Sequence, residues 1–144
     1  MPNEKSQLSD ELVAAYRTTH YQVEAHPDFT LMIGKLSPEL QRLHKKHGVI
    51  HSAYITAYNP LSQPVSPENN ARLHQELISA VQSLNLRYYE GDGQGQPVGK
   101  WDSERSLLIL GLNLSDAQKL GEKFAQNALV WNDADCVPQL ILLR

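Results

Sequence analysis

Apolar residues recur along this chain in distinct rhythms, and the rhythms assign its elements. Leu12, Val13, Ala15 and Tyr16 mark one face of a helix from about Asp10 to Thr19. Ser9 offers its N-cap oxygen, Asp10 and Glu11 oppose the positive end of the dipole, and Leu8 with Val13 forms a hydrophobic staple. Tyr21, Val23 and Ala25 then alternate, as do Phe29, Leu31 and Ile33, on either side of the turn-forming His26-Pro27-Asp28. That pattern predicts a β-hairpin. Ser37-Pro38-Glu39 opens a second helix, with proline where its missing N–H costs nothing, and Gly48 closes it. Residues 50–58 alternate as a strand, and the run Asn59 to Pro64 interrupts regular structure. Ser66-Pro67-Glu68 repeats the opening device, and Leu73, Leu77, Ala80, Val81 and Leu84 follow at helical spacing. Leu86 to Glu90 predicts a strand. The continuous run Leu107 to Leu112 predicts a strand covered on both faces. Ser115 to Gln118 has the form of a capping box, starting a helix to about Gln126, and Ala128–Trp131 and Gln139–Leu143 are the last strands.

The order is α-β-β-α-β-α-β-loop-β-α-β-β. Residues 50–90 and 106–131 each make a β-α-β unit, and two such units in succession are the ferredoxin-like β-α-β-β-α-β arrangement. The expected fold is α+β: a two-layer sandwich with a mixed, largely antiparallel sheet and an added N-terminal α-β-β-α segment. One globular domain spans 1–144, with 1–7 a loose N-terminal tail and 91–101 a flexible glycine-rich loop.

Composition narrows the function classes without choosing among them. At 144 residues, 13 Lys+Arg, 16 Asp+Glu and a net charge of −3, the chain lacks the basic excess of a nucleic-acid binder. A single cysteine, Cys136, excludes a disulfide-stapled scaffold. Met1 to Leu12 lacks the apolar stretch of a secretory signal, and no apolar run approaches the ~20 residues of a membrane span. A cytoplasmic location without membrane contact is expected.

Residues 91–100 hold four of the eight glycines, yet they are no phosphate cradle. Trp101 follows Lys100 where a P-loop needs Ser or Thr, Gln94 stands where its first glycine belongs, and the dinucleotide pattern lacks its third glycine. His44, His47 and His51 have loose metal-ligand spacing, but Lys45 and Lys46 lie among them and no thiol or carboxylate is near. A solvated basic helix face accounts for them, and neither metal nor cofactor is expected. Cys136 has no histidine or acid beside it in sequence. The densest polar group is Thr56, Tyr58, Asn59, Ser62, Asn69 and Asn70, at a strand end, a loop and a helix start, where amides favour an anion. Glu90, Glu104 and Ser106 flank the glycine segment and offer an acid pair for proton transfer if the fold joins them. Gln126 needs a partner, backbone or ligand, whereas Asn127 suits a helix end.

Thr56-Ala-Tyr58-Asn59-Pro60 with Ser62, then Glu104 and Ser106 before an apolar strand, then Phe124-Ala-Gln126-Asn127-Ala-Leu-Val-Trp131, together resemble a bacterial domain-of-unknown-function family, number 3293. Tyr58 stands where that family frequently has Trp, and Arg105 where it frequently has Pro. The resemblance implies a stand-alone bacterial protein and brings no activity, substrate or cofactor. Its polar signature maps to Asn59, Ser62, Asn70, Glu104, Ser106 and Gln126.

The reading that follows is a small-molecule site built from Thr56, Asn59, Ser62, Asn70, Glu104, Ser106 and Gln126, with its ligand and any catalytic role undefined. A non-catalytic interaction module or homodimer, using Tyr88, Tyr89 and Trp101, is the alternative. RNA stacked on Tyr54, Tyr58 and Tyr89 ranks third, since no basic stripe accompanies them.

Overall fold

The computed structural model describes residues 7–144, so a loose tail over 1–7 falls outside the described residues apart from Gln7. The elements follow in the order α1 (Asp10–Thr18), β1 (His20–Val23), β2 (Phe29–Leu31), α2 (Pro38–His47), β3 (Ser52–Thr56), a single 3-10 turn (Pro60–Ser62), α3 (Pro67–Ser83), β4 (Tyr88–Gln94), β5 (Glu104–Leu110), α4 (Leu114–Lys123), β6 (Ala128–Asn132) and β7 (Gln139–Leu142). Local chemistry sets most of these boundaries. Ser9, Ser37 and Ser66 each accept a hydrogen bond from a first-turn amide, and Gly48 ends α2 in the left-handed conformation. At α4 the cap is Asn113, whose side chain accepts from the Asp116 amide, rather than Ser115. That helix stops at Lys123, short of Gln126, because Ala125 turns left-handed at φ 54°.

All seven strands of the described residues join one sheet in the order β2-β1-β4-β5-β3-β6-β7, and every neighbouring pair is antiparallel. The sheet therefore has no parallel component. Its centre, β4-β5-β3-β6, with α3 joining β3 to β4 and α4 joining β5 to β6, has the ferredoxin-like order. The β1–β2 hairpin extends one edge and β7 the other. Sequence after β2 meets sequence before β7 through Gly34 N–H to Pro138 O (2.9 Å) and Ser37 N–H to Cys136 O (3.0 Å), so the sheet curls.

Strand parity explains the layers. Ala53, Ile55, Leu107, Ile109, Leu129 and Trp131 face α3 and α4, meeting Leu77, Val81 and Leu120. Their neighbours Tyr54, Leu108, Leu110 and Val130 face the other way, onto Leu40 and Leu43 of α2. The continuous apolar run in β5 is thus covered on both faces, and α2 adds a partial third layer to the expected two. Burying each such leucine is worth about 1.5–3 kcal/mol.

The glycine-rich segment divides. Gly91 to Gln94 belongs to β4, so only residues from Gly95 onward form a loop. Gly91 is required by contact: a Cβ there would lie 1.7 Å from the carbonyl oxygen of Gln22 in β1, the same oxygen that accepts from the Tyr54 hydroxyl at 2.7 Å. Gly93, two residues on, would place its Cβ no nearer than 3.9 Å to anything. Urea denaturation should show Gly91→Ala losing about 1–3 kcal/mol of stability, with Gly93→Ala within about 0.5 kcal/mol of the parent. Equal effects at the two positions would contradict the close approach of β1.

Candidate functional site

A cavity of about 720 Å³ opens where β3, β4, β5 and β6 end beside α1. It lies on the sheet face that α2 covers only in part. Thr56, Asn59, Ser62, Asn70, Glu104, Ser106 and Gln126 all line it, although they are spread over 71 positions of the chain (56–126). Asn59 and Gln126, whose placement on opposite sides of the sheet would have ended the idea of a shared pocket, share one wall.

Asn59 organises the polar side. Its Oδ1 accepts from the Val65 amide (3.2 Å) and from Asn70 Nδ2 (3.0 Å), while its own amide N–H donates to Asn70 Oδ1 (2.9 Å). Two donors on Oδ1 leave Nδ2 facing Glu104, where it donates to Oε2 at 2.9 Å. Burial pushes the Glu104 carboxyl above its usual range, and the Asn59 hydrogen bond pulls it partly back. No ion pair involves Glu104 among the described residues, and its Oε1 has no hydrogen-bond partner among them. Ser106 Oγ donates to the Glu104 carbonyl (3.0 Å) and Thr56 Oγ1 to the Arg105 carbonyl (2.8 Å), fixing the start of β5. Gln126 Nε2 donates to two backbone carbonyls, of Tyr58 (3.1 Å) and Phe124 (3.3 Å), so its partners in the protein are backbone.

The loop after β3 carries unusual backbone. Asn59, Leu61 and Ser62 have φ of 48°, 56° and 59°, a conformation that costs an L-residue roughly 1–2 kcal/mol. It is locked from outside: the Leu61 amide donates to the Ala125 carbonyl at 2.7 Å, and Asn127 Nδ2 donates to Ser62 Oγ at 2.9 Å. Asn127 is therefore a strut for this turn and no helix cap. Asn70 also does more than support its helix end, since its side chain is spent on Asn59. At the N-terminus of α3 most of the expected anion-binding amides are taken: Pro67 has no N–H, Asn69 N–H bonds Ser66 Oγ and Asn70 N–H bonds Ser66 O, which leaves the Glu68 amide.

Sequence patterning missed the opposite wall. Leu12, Ala15 and Tyr16 of α1 line the cavity, and Tyr16 OH lies 3.3 Å from Ser62 Oγ. Burial raises the Tyr16 hydroxyl's pKa, and the nearby Glu104 charge adds to the effect. The apolar stripe of α1 was the available signal, because no residue of that helix is fully buried and its stripe faces the cavity. Trp101 forms the rim, packed over Gly95 with Lys100 Nζ 5.4 Å from its ring centre.

Other expected groupings come apart. Glu90 pairs in register with Leu107 and so faces α3, where it meets His74 at 2.7 Å; it makes no acid pair with Glu104. The three histidines diverge: His44 is buried against Ser52 (2.8 Å), His47 meets the Tyr89 hydroxyl (2.8 Å), and His51 stacks on Trp131. His44 is thus no part of a solvated face, and no group of three or more metal-ligating side chains is arranged for an ion among the described residues. The fold does give Cys136 a histidine, with Sγ 3.5 Å from His44 Nδ1. Burial pushes that thiol up and that imidazole down, and Cys136 is 1% exposed, so it is no accessible nucleophile. Tyr54 is buried with its hydroxyl spent on Gln22, while Tyr88 and Tyr89 face opposite sides, so neither aromatic group forms one exposed platform.

A family model described as "Protein of unknown function (DUF3293)" matches residues 55–129. The chain belongs to that family. Comparison with curated proteins and with solved structures found no match. All seven polar residues fall inside the span matched by DUF3293, while the α1 wall lies before it. No helix is long and apolar enough to cross a membrane among the described residues.

Because the folded-state pKa of Glu104 is raised, its full contribution to stability is present below the unfolded value of about 4.3 and is lost as pH rises through the higher folded value. Glu104→Gln, which keeps an acceptor for Asn59 and removes the charge, should therefore match the parent in urea midpoint in acid and exceed it at neutral pH. A variant less stable than the parent at neutral pH would contradict the desolvated carboxyl.

Proposed function

We propose that this protein binds a small organic molecule in the cavity between α1 and the strand ends. What supports the reading is the convergence of seven polar side chains, from four separate stretches of sequence, on one concavity whose remaining walls are largely apolar or aromatic, with Lys100, Asp102 and Ser103 beside Trp101. Ligand sites commonly combine such walls with a few placed polar groups, in volumes of about 300–1,000 Å³. The left-handed turn at Asn59–Ser62 adds to it, since strained backbone held by surrounding bonds clusters at functional sites. The volume of the pocket and the desolvated Glu104 carboxyl suit binding, and Glu104 is the group there with a carboxyl pKa raised toward proton transfer should the ligand also react. A cytoplasmic, bacterial protein remains the setting we propose.

Amide correlation spectra recorded against a set of small aromatic and aliphatic compounds test this. Binders should perturb Gly93, Gly95, Gln126 and the Trp101 indole together, and Ala15→Phe, which fills the space from the α1 side, should abolish those shifts while leaving the dispersed spectrum intact. Perturbations confined to the outer faces of β2 and β7, and indifferent to Ala15→Phe, would sink the cavity reading.

A further inference from the structure

We infer that the ligand is an organic cation, an ammonium or amidinium group on a flat apolar body, with Glu104 as its counter-charge. This inference rests on the cavity reading above and names the class of molecule the cavity takes.

The donor and acceptor inventory of the cavity carries it. Much of the polar wall's hydrogen is spent internally: one Asn59 Nδ2 hydrogen on Glu104, one Asn70 Nδ2 hydrogen on Asn59, both Gln126 Nε2 hydrogens on carbonyls, and the Ser106 and Thr56 hydroxyls on carbonyls of β5. Tyr21 and Tyr54, deeper in, donate to the carbonyls of Tyr16 and Gln22. Two side-chain acceptors are left without a donor: Glu104 Oε1 and Gln126 Oε1 take no hydrogen bond from the described residues. A molecule that satisfies these two acceptors brings hydrogens to them, and an anion facing the Glu104 carboxylate brings none and is repelled.

Charge points the same way. Among the described residues, the ionisable groups lining the cavity besides the tyrosines are Glu104, Asp102 and Lys100. Lys100 stands at the rim with its ammonium over the Trp101 ring. Arg105, adjacent to Glu104 in sequence, is on the other face of β5 and is held by Glu24 (2.6 Å), Glu90 (3.2 Å) and Asp92 (3.4 Å). A half-buried carboxyl without a cation is costly when ionised, and a cation entering the cavity offsets part of that cost through a charge-assisted hydrogen bond. Trp101 and the apolar side of α1 supply walls for the body that carries the charge.

Benzamidine, benzamide and benzoate are isosteric probes that differ in charge and donors. Isothermal titration, with spectra to locate each probe, should show benzamidine in the cavity more tightly than the other two. Glu104→Gln should weaken benzamidine roughly ten- to hundredfold and leave benzamide within a few-fold. If benzamide or benzoate occupies the cavity as tightly as benzamidine, or Glu104→Gln leaves benzamidine unchanged, the cation assignment is overturned and the cavity reading stands. If none of the three perturbs Gly93, Gly95, Gln126 or Trp101, both are overturned. The ranking of the three probes on the unaltered protein decides the matter even where the variant folds poorly.

Discussion

A carboxyl group taken out of water is either paired with a cation or pushed toward its neutral form, and no cation among the described residues pairs with Glu104. The site is arranged around that constraint. Asn59 satisfies one carboxyl oxygen, Asn70 and the Val65 amide fix Asn59, and the left-handed turn places Asn59 where it can reach. Asn127 and the Ala125 carbonyl then brace the turn from the α4–β6 connection. Removing any of these members releases the one before it, so the chain of dependence runs from a loop after β3 through a helix end to a strand start. Such a network is worth more satisfied than the sum of its bonds and costs most when half satisfied.

The sheet sets where this can happen. With α3 and α4 on one face and α2 on the other, the middles of β3, β5 and β6 have no room for polar side chains. Polar groups are pushed to the strand ends, and only the ends beyond the reach of α2 remain uncovered. α1 closes that region without burying itself, which leaves a cavity rather than a core.

Much of this was legible in the residues. Serine caps, proline at first helical positions and the apolar periods placed eleven of the segments near their observed bounds, and two β-α-β units in tandem gave the order of the central strands. The polar cluster at 56–70 with Glu104, Ser106 and Gln126 was visible because such residues are out of place beside apolar runs. What escaped was long-range. Gly91 reads locally as loop, and only the approach of the Gln22 carbonyl makes it a strand glycine. The cap at Asn113 and the early end of α4 depended on Ala125, whose side chain gives no sign of a left-handed backbone. Tyr16 looked like core because an apolar stripe has the same spacing whether it faces a core or a cavity.

The pleat of β5 explains why Glu104 is left uncompensated beside an arginine. Adjacent residues in a strand point to opposite faces, so Glu104 and Arg105 cannot meet. Arg105 finds three carboxylates on the α3 side, contributed by Glu24, Glu90 and Asp92, so its charge is more than balanced there. Glu104 finds neutral amides and hydroxyls, and the one that donates to it is Asn59. A shift of β5 by one residue would exchange the two environments, bringing an arginine into the cavity and a carboxylate into the acidic cluster. Register holds against that slip, because it would also turn Leu107 and Ile109 away from α3 and α4. The apolar packing of the strand's middle thus fixes the charge at its end, and the same packing that stabilises the core keeps one carboxyl facing an open cavity.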